Sequence, residues 1–162
     1  VFNFIFGNGP ITTKLYQNLR EKNSLCYNVR NMYQKFDQLL IINAGIDAEN
    51  KKKAIKLIKK SLKEMKNGNF TDEDVQSSIN NIINDLRISL DNPTSLISNY
   101  YFHNLVQIPF REETIANITK VTKNDVIKLA SKINLNTIYL LAPGGNNERN
   151  NSCHPDGKNW FY

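Results

Sequence analysis

The order of the structural elements is decided by residues 7–27, which read GNGPITTKLYQNLREKNSLCY. The glycines and the proline at its start end whatever precedes them, because both residue types interrupt regular structure. Thr12 or Thr13 can then cap a helix that runs to about Asn23, with its apolar side chains facing inward. The apolar residues that come next predict a strand. Turn, helix and strand are therefore expected in close succession.

Arg20 and Tyr27 are the candidate functional residues of this stretch. The pattern places a permanent cation at the end of a helix and a phenol near the start of the next strand, so that the two side chains can converge on one patch. A guanidinium and a phenolic hydroxyl can both donate hydrogen bonds to a carbonyl oxygen, also as that oxygen gains negative charge. Structural roles remain open, since a helix dipole stabilises a cation at its C-terminal end and tyrosine is common in strands.

Two strands after the helix predict an antiparallel hairpin. Residues 25–33 alternate in polarity, which places Tyr27, Val29 and Tyr33 on one side of the first strand. A polar turn follows, and residues 39–46 are apolar enough to form a central strand of a sheet.

The rest of the chain is mainly helical by its periodicity and its cap residues. Asp47 or Asn50 opens a lysine-rich helix that ends at residues 67–69, where a glycine suits a left-handed cap. Thr71 begins a second helix that stops near residues 92–93. The remaining predicted elements are helices over residues 94–106, 112–118 and, after the cap Thr122, 123–133, and a final strand over residues 137–141. The expected fold class is α+β, with helices covering an antiparallel sheet.

Charge and hydropathy restrict the possible functions. The 162 residues carry 21 Lys+Arg against 15 Asp+Glu, a net charge of +6. Most of the excess lies in the lysine-rich helix, where lysines and apolar residues recur at helical spacing, and this pattern indicates a solvated face. A basic nucleic-acid-binding domain is the weaker alternative. Because the lysines are interpreted as a solvated face, we expect no nucleic-acid partner. We also expect no membrane association, since no stretch of about 18 apolar residues is present.

The histidines and cysteines do not predict a self-contained zinc site. The chain has two of each, His103, His154, Cys26 and Cys153, and they form no short-spaced motif. A protein zinc site usually takes three or four side-chain ligands. We interpret His103 as a half-buried residue of a core helix and Cys26 as a small core residue. His154 and Cys153 would bind at most adventitious metal.

The predicted domain covers residues 1–142. Residues 1–6 are apolar, but they lack the basic start and the cleavage site of a signal peptide. They are interpreted as the end of an element that begins upstream, so the domain is expected to be N-terminally truncated and the chain to be part of a longer protein. Residues 143–162 are rich in Asn and Gly and are expected to form a disordered tail.

Together these segments resemble the C-terminal, non-zinc domain of the M16 metallopeptidases, the pitrilysin and insulysin family. Domains of that family carry a glycine-rich turn, a helix that ends in Leu-Arg-Glu-Lys and a link that ends in Tyr, as residues 7–27 do. The segment of residues 20–27, REKNSLCY, is most similar to bacterial members of the inactive-subunit type. The similarity spans about residues 3–142 and continues in residues 40–47, 65–74, 121–126 and 136–141.

The resemblance implies a LuxS/MPP-like metallohydrolase half-domain and identifies Arg20 and Tyr27 as the family's Arg/Tyr pair. In the family this pair faces the zinc-bearing domain across a chamber and holds the substrate backbone near the scissile carbonyl, and the Tyr helps to stabilise the tetrahedral intermediate. The family's zinc motif, His-x-x-Glu-His, does not occur in these 162 residues. The chain is therefore not expected to hydrolyse a peptide alone by that route.

The implied function is substrate binding, within an M16-type zinc peptidase or within its inactive paralogue. The alternative is a non-peptidase interaction or scaffold domain that retains the fold. The implied partners are a zinc-bearing M16 domain or subunit, in a homo- or heterodimer, and a peptide substrate. No cofactor is expected in this chain, and zinc is expected in the partner domain. A cytoplasmic location agrees with the low cysteine content.

Overall fold

The structure, a computed structural model, describes residues 1–141 apart from the side chain of Leu90. The predicted tail, residues 143–162, lies outside the described residues. The elements in chain order are a π-helical segment Phe4–Asn8, α1 Lys14–Tyr16, its π-helical continuation Gln17–Glu21, β1 Cys26–Gln34, β2 Leu39–Ile46, a 3-10 turn Ala48–Asn50, α2 Lys51–Lys66, α3 Asp72–Ile88, a 3-10 turn Ser89–Asp91, α4 Pro93–Val106, α5 Arg111–Ile118 and α6 Lys123–Lys132. The α+β class and the antiparallel pairing are confirmed.

The core is formed where the N-terminal segment and the helix of residues 14–21, called here the Arg20 helix, pack on β1 and α2. Helix α3 packs on the N-terminal segment, and α6 packs on α2. Phe6, Leu15, Leu19 and Met65 are 0% exposed. Fully burying an aliphatic or aromatic side chain contributes about 1.5–3 kcal/mol. The other core residues are Phe2, Ile5, Cys26, Val29, Phe70, Val75, Ile79, Val126 and Ala130.

The hairpin of β1 and β2 carries an irregularity that the sequence pattern did not predict. Cys26 pairs with Ile46 and Val29 pairs with Ala44, so that two residues of β1 stand opposite the single residue between those partners on β2. This arrangement is a β-bulge. The expectation that Tyr27 and Val29 share one side of the strand is therefore wrong, because the extra residue changes the alternation of the strand. Val29 is 5% exposed, whereas Tyr27 is 85% exposed.

Helices α3 and α6 begin at the predicted cap residues, whereas Thr13, Asp47 and Asn50 precede their helices without a side-chain cap bond. Thr71 and Asp74 form a reciprocal capping box at the start of α3, and Thr122 and Asp125 form another at the start of α6. Each box satisfies backbone N–H groups that have no partner inside the helix. Gly68 has φ +70° after α2, which is the predicted left-handed turn.

Residues 137–141 do not form the predicted strand. The structure assigns no regular secondary structure to residues 133–141, and the sheet of the described residues consists of β1 and β2. An extended segment becomes a strand only when a neighbour supplies backbone hydrogen bonds. Tyr139 and Leu141 are each 83% exposed. The segment therefore has the apolar residues of a strand, but no strand in the described part of the chain pairs with it.

Helix α4 also differs from expectation, because it is not a core helix. None of its residues is buried. His103 is half-buried as predicted, but its ring stacks on Phe110 with the centroids 3.5 Å apart, and its Nδ1 lies 2.7 Å from the carbonyl oxygen of Ile108. The apolar residues of α4 are distributed around the whole helix, so that no single side faces the core.

Candidate functional site

The chain reversal between the Arg20 helix and β1 brings Arg20 and Tyr27 together. Ser24 adopts the left-handed conformation, with φ 49°. The N–H of Ser24 donates to the carbonyl of Arg20 (2.7 Å), and the N–H of Leu25 donates to the carbonyl of Leu19 (2.9 Å). These bonds satisfy carbonyl groups at the end of the helix. A left-handed non-glycine residue beside the candidate site is a local strain of about 1–2 kcal/mol.

The guanidinium of Arg20 lies between two tyrosine rings. Its carbon is 4.9 Å from the ring centroid of Tyr16 and 4.9 Å from that of Tyr27. Its Nη1 also donates a hydrogen bond of 3.0 Å to the backbone carbonyl of Tyr27. Cation–π contacts at this distance and a backbone bond restrict the orientation of the guanidinium. The predicted pair is thus adjacent in space.

Sequence reasoning assigned no functional role to Tyr16. The signal was its position four residues before Arg20, because side chains at i and i+4 lie on the same face of a helix. Tyr16 is half-buried against the core, and its ring contacts the Arg20 guanidinium from the core side. The Tyr27 ring contacts the same guanidinium from the solvent side and is 85% exposed.

The β-bulge decides how Tyr27 is presented. Cys26, its neighbour in β1, is 8% exposed and belongs to the core. Gly45 stands opposite the bulge, and a Cβ added there would meet no atom within 4 Å. Bulges are frequent beside functional sites because they change the direction of a side chain. Here the bulge leaves the Tyr27 side chain open to a ligand.

A groove of about 550 Å³ runs along this pair and is called here the Arg20 groove. The turn of residues 7–10 lines this groove, and Arg20, Tyr27 and Arg30 are among the other residues that line it. The turn packs closely, since a Cβ at Gly9 would lie 2.5 Å from the carbonyl oxygen of Phe4. The sequence pattern had pointed to the glycine turn but not to Arg30.

A buried polar network holds the Arg20 helix against α2. Asn18 is 3% exposed, and its Nδ2 donates to Ser61 Oγ and to Glu64 Oε2, each at 2.9 Å. Its backbone carbonyl accepts a hydrogen bond of 2.8 Å from Asn23 Nδ2. Buried polar groups that are satisfied in this way specify one relative position of two helices. The network therefore positions Arg20 two residues further along the same helix.

Cys26 lies behind the site rather than in it. Burial raises the pKa of the Cys26 thiol, and the nearby positive charge of Arg20 acts in the opposite direction. A thiol in such a position is mainly protonated and is a poor nucleophile. This geometry agrees with the interpretation of Cys26 as a small core residue.

The side chains of the described residues do not fit a zinc site. Residues 1–141 contain no group of three or more His, Cys, Asp and Glu that could hold a metal ion. Cys153 and His154 lie outside the described residues. Within the same range, no helix has both the length and the apolar character needed to cross a bilayer.

These features define an α+β domain in which a glycine turn, the Arg20 helix and a bulged strand build one groove. A family model described as "Peptidase M16 inactive domain" matches residues 1–82, which is just over half of the chain. The chain therefore belongs to the M16 peptidase family, as the sequence motifs predicted.

One curated relative and two solved structures are similar to this chain. The "Probable inactive metalloprotease YmfF" of Bacillus subtilis is 36% identical over 142 residues, which cover 87% of this chain and 33% of that protein. The crystal structure of a conserved protein from Enterococcus faecalis has a TM-score of 0.75 and 28% identity, covering 80% of this chain and 31% of that one. The crystal structure of a peptidase M16 inactive domain from Pseudomonas fluorescens has a TM-score of 0.69 and 20% identity, covering 83% and 32%.

The chain matches only part of the length of each relative. The chain spans about a third of the length of each of these relatives. The family and the fold are therefore assigned to a segment that matches about a third of each of these proteins. The description of the matching family model supports a non-catalytic M16-family domain.

Proposed function

We propose that this chain is the substrate-binding, non-zinc domain of an M16-type peptidase or of its inactive paralogue. It supplies Arg20 and Tyr27 to a chamber that is closed by a zinc-bearing M16 domain or subunit, and the bound substrate is a peptide. A cytoplasmic location is part of the same proposal. The observation that carries it is the geometry of Arg20, held between Tyr16 and Tyr27 at the edge of a groove.

The geometry favours backbone recognition by Arg20. One of its guanidinium nitrogens already donates to a backbone carbonyl, that of Tyr27, at 3.0 Å. A guanidinium has five N–H donors, so the others remain for a ligand. The aromatic contacts orient the group before the ligand arrives, which lowers the entropy lost on binding. A peptide carbonyl in the Arg20 groove is the matching acceptor.

Tyr27 supplies a neutral donor next to this cation. A phenolic hydroxyl can donate to an oxygen that becomes negatively charged during a reaction, and removal of one such donor typically lowers kcat about 10²–10³-fold. Tyr27 can act in this way only when another domain brings the reacting groups to the groove. In a paralogue without those groups, the same two residues would bind peptide without turnover.

The test is reconstitution of the full-length protein with a zinc-bearing M16 subunit and a fluorogenic peptide. We expect Arg20→Ala to raise KM about 10- to 150-fold, because a hydrogen bond to a charged donor contributes about 1.5–3 kcal/mol. Tyr27→Phe is expected to lower kcat more than it raises KM. In an inactive paralogue, the readout is peptide affinity instead of rate.

Tyr33→Phe is the matched control, because it removes a phenolic hydroxyl from the same strand outside the residues that line the groove. Arg20→Lys keeps the charge and loses the planar fork of donors, so it is expected to fall between wild type and Arg20→Ala. Unchanged kinetics and unchanged peptide affinity in Arg20→Ala and Tyr27→Phe would contradict the proposal.

A scaffold role is the second candidate, and the exposure of α4 favours it. Ile97, Tyr100 and Leu105 are 71%, 60% and 61% exposed, and residues 93–110 contain no Asp, Glu, Lys or Arg. Large exposed apolar patches commonly mark protein interfaces. If α4 variants abolished assembly with another M16 domain while Arg20 variants had no effect on peptide binding, the scaffold role would replace the first proposal.

A further inference from the structure

Arg30 is a second cation at the Arg20 groove, and neither the sequence motif nor the family resemblance assigns it a role. It lies three residues beyond Tyr27 in β1, is exposed, and lines the same groove. The ion pair found among residues 1–141 joins Lys60 and Glu64, so Arg30 has no carboxylate partner within that range.

The groove is cationic without a compensating acid. Its lining contains Arg20 and Arg30 and neither Asp nor Glu. Glu21 lines a neighbouring pocket, which shares Arg20 and Tyr27 with the groove and also includes Ser24 and Cys26. Two positive charges that face one groove attract an anionic group, and a guanidinium can hold a carboxylate through two parallel N–H···O bonds.

The two arginines differ in what remains available to a ligand. Arg20 is engaged by two aromatic rings and by the carbonyl of Tyr27. Arg30 lines the groove, and its side chain has no such contact among the described residues. A peptide bound through its backbone at Arg20 would thus present a neighbouring side chain to Arg30.

We infer that Arg30 selects substrate peptides that carry an aspartate or glutamate beside the backbone segment held by Arg20. This inference rests on the proposed function, because it needs a peptide in the groove. A peptide fits better than a nucleic acid, because the remaining N–H donors of Arg20 match a backbone carbonyl, whereas the groove lining offers only two cations, Arg20 and Arg30, to a chain of phosphates.

The experiment measures the binding of fluorescein-labelled ten-residue peptides to the full-length protein by fluorescence anisotropy at 50 mM NaCl. The peptides form pairs that differ only in Glu or Gln at one position, and this position is moved along the peptide. We expect the Glu peptide to bind about fivefold more tightly at one or two adjacent positions, the size of a partly exposed ion pair. The preference should shrink at 500 mM NaCl.

Arg30→Gln is expected to abolish this preference and to leave the affinity for the Gln peptides within about twofold of wild type. Arg87→Gln is the matched control, because it removes the same charge from an exposed position on α3, and it should retain the preference. Arg20→Gln should weaken both members of each pair, which reports on the proposed function separately.

Equal affinities for Glu and Gln peptides at every position in the wild-type protein would overturn the inference alone. A preference that persists in Arg30→Gln would overturn it as well. Absence of binding to any peptide would overturn the proposed function together with the inference. Arg30-dependent displacement of the peptides by a single-stranded DNA oligonucleotide, at concentrations below those of the peptides, would assign the groove to a nucleic acid instead.

Discussion

The Arg20 region (residues 1–70) and the α4 region (residues 93–118) are both rich in apolar residues, but they bury them very differently. Leu15 and Leu19 of the Arg20 helix are 0% exposed, whereas Ile97 and Leu105 of α4 are 71% and 61% exposed. The Arg20 helix has one apolar side that packs on β1 and α2. Helix α4 is apolar around its circumference and has no buried residue.

The difference shows that hydrophobicity alone does not place a helix in a core. A helix with a single apolar side can bury it against one neighbour, and the polar side then faces water. A helix that is apolar on all sides must be covered on all sides, and the described residues cover little of α4. The Arg20 region can therefore hold its groove in a defined shape. In the α4 region, apolar side chains that the described residues do not cover can contact another protein surface.

The largest expected effect comes from shortening one leucine in each region. Leu19→Ala should lower the free energy of unfolding by about 2–5 kcal/mol, because it removes buried methyl groups and leaves a cavity. Leu105→Ala should change it by less than about 0.5 kcal/mol, as is usual for exposed sites. Urea unfolding of the two variants checks both values. If Leu105→Ala lowered the free energy of unfolding as much as Leu19→Ala, α4 would be covered in solution. The difference in burial between the two regions would then be contradicted.

A second prediction concerns the close packing of the glycine turn in the Arg20 region. Gly9→Ala should destabilise the protein by about 1–3 kcal/mol, because the new Cβ would lie 2.5 Å from the backbone oxygen of Phe4. Gly45→Ala is the matched control, since a Cβ there would meet no atom within 4 Å. Thermal unfolding and peptide affinity are the measurements. A Tm in Gly9→Ala equal to that of Gly45→Ala would contradict the close packing.

Loss of a helix cap should act globally at α3, which packs on the core of the Arg20 region, and locally at α4. Thr71→Ala should cost about 1 kcal/mol of global stability, since α3 is joined to the core by Val75 and Ile79. Asn92 caps α4 by accepting from the N–H groups of Thr94 (2.9 Å) and Ser95 (3.4 Å). Asn92→Ala should increase amide hydrogen exchange within α4 while leaving the global unfolding free energy almost unchanged.

The two cap variants thus test whether α4 unfolds independently of the core. Amide exchange measured residue by residue separates the two outcomes. If Asn92→Ala lowered protection throughout α2 and α3 as well, α4 would be part of the same cooperative unit, and the contrast between the regions would be weaker than the burial indicates.

The smallest expected effect is the pH dependence that comes from the cap of α6. Hydrogen bonds from the Thr122 side chain and backbone hold the pKa of the Asp125 carboxyl below its ordinary value of 3.8. Because the pKa is lower in the folded state, this stabilisation is complete above pH 3.8 and is lost as the pH falls through the folded-state pKa. Asp125→Asn should therefore reduce the slope of stability against pH below about pH 4. Urea unfolding between pH 7 and pH 3 measures it, and an unchanged slope would contradict the role of the cap.

The local features of the fold were accessible from the sequence because they depend on neighbouring residues. Leu39–Ile46 was predicted as a strand with the observed bounds, and Thr71 and Thr122 were predicted as caps. Gly68 was predicted in the left-handed conformation that it adopts. In each case the physical cause lies within a few residues: side-chain alternation, a hydroxyl that reaches backbone N–H groups, or the absence of a Cβ.

The candidate site was predictable only in part. Arg20 and Tyr27 were identified from the motif, and the structure places them in contact, but their roles remain predictions. The β-bulge could not be predicted, because it depends on the register between β1 and β2 and not on β1 alone. The position of Arg30 at the groove follows from the same register. The strand expected at residues 137–141 failed for a related reason, since a strand needs a partner that its own sequence does not specify.

The sequence by itself determined the order of the helices and of the hairpin, the caps Thr71 and Thr122, the fold class and the family, because these depend on local periodicity and on motifs such as residues 7–27. Only the tertiary structure decided which side of β1 presents Tyr27, that Tyr16 supports Arg20 from behind, and that α4 stays exposed. These properties arise from pairing and packing between segments that are distant in the chain. A one-residue change of register or a missing neighbour alters them without any change in local pattern.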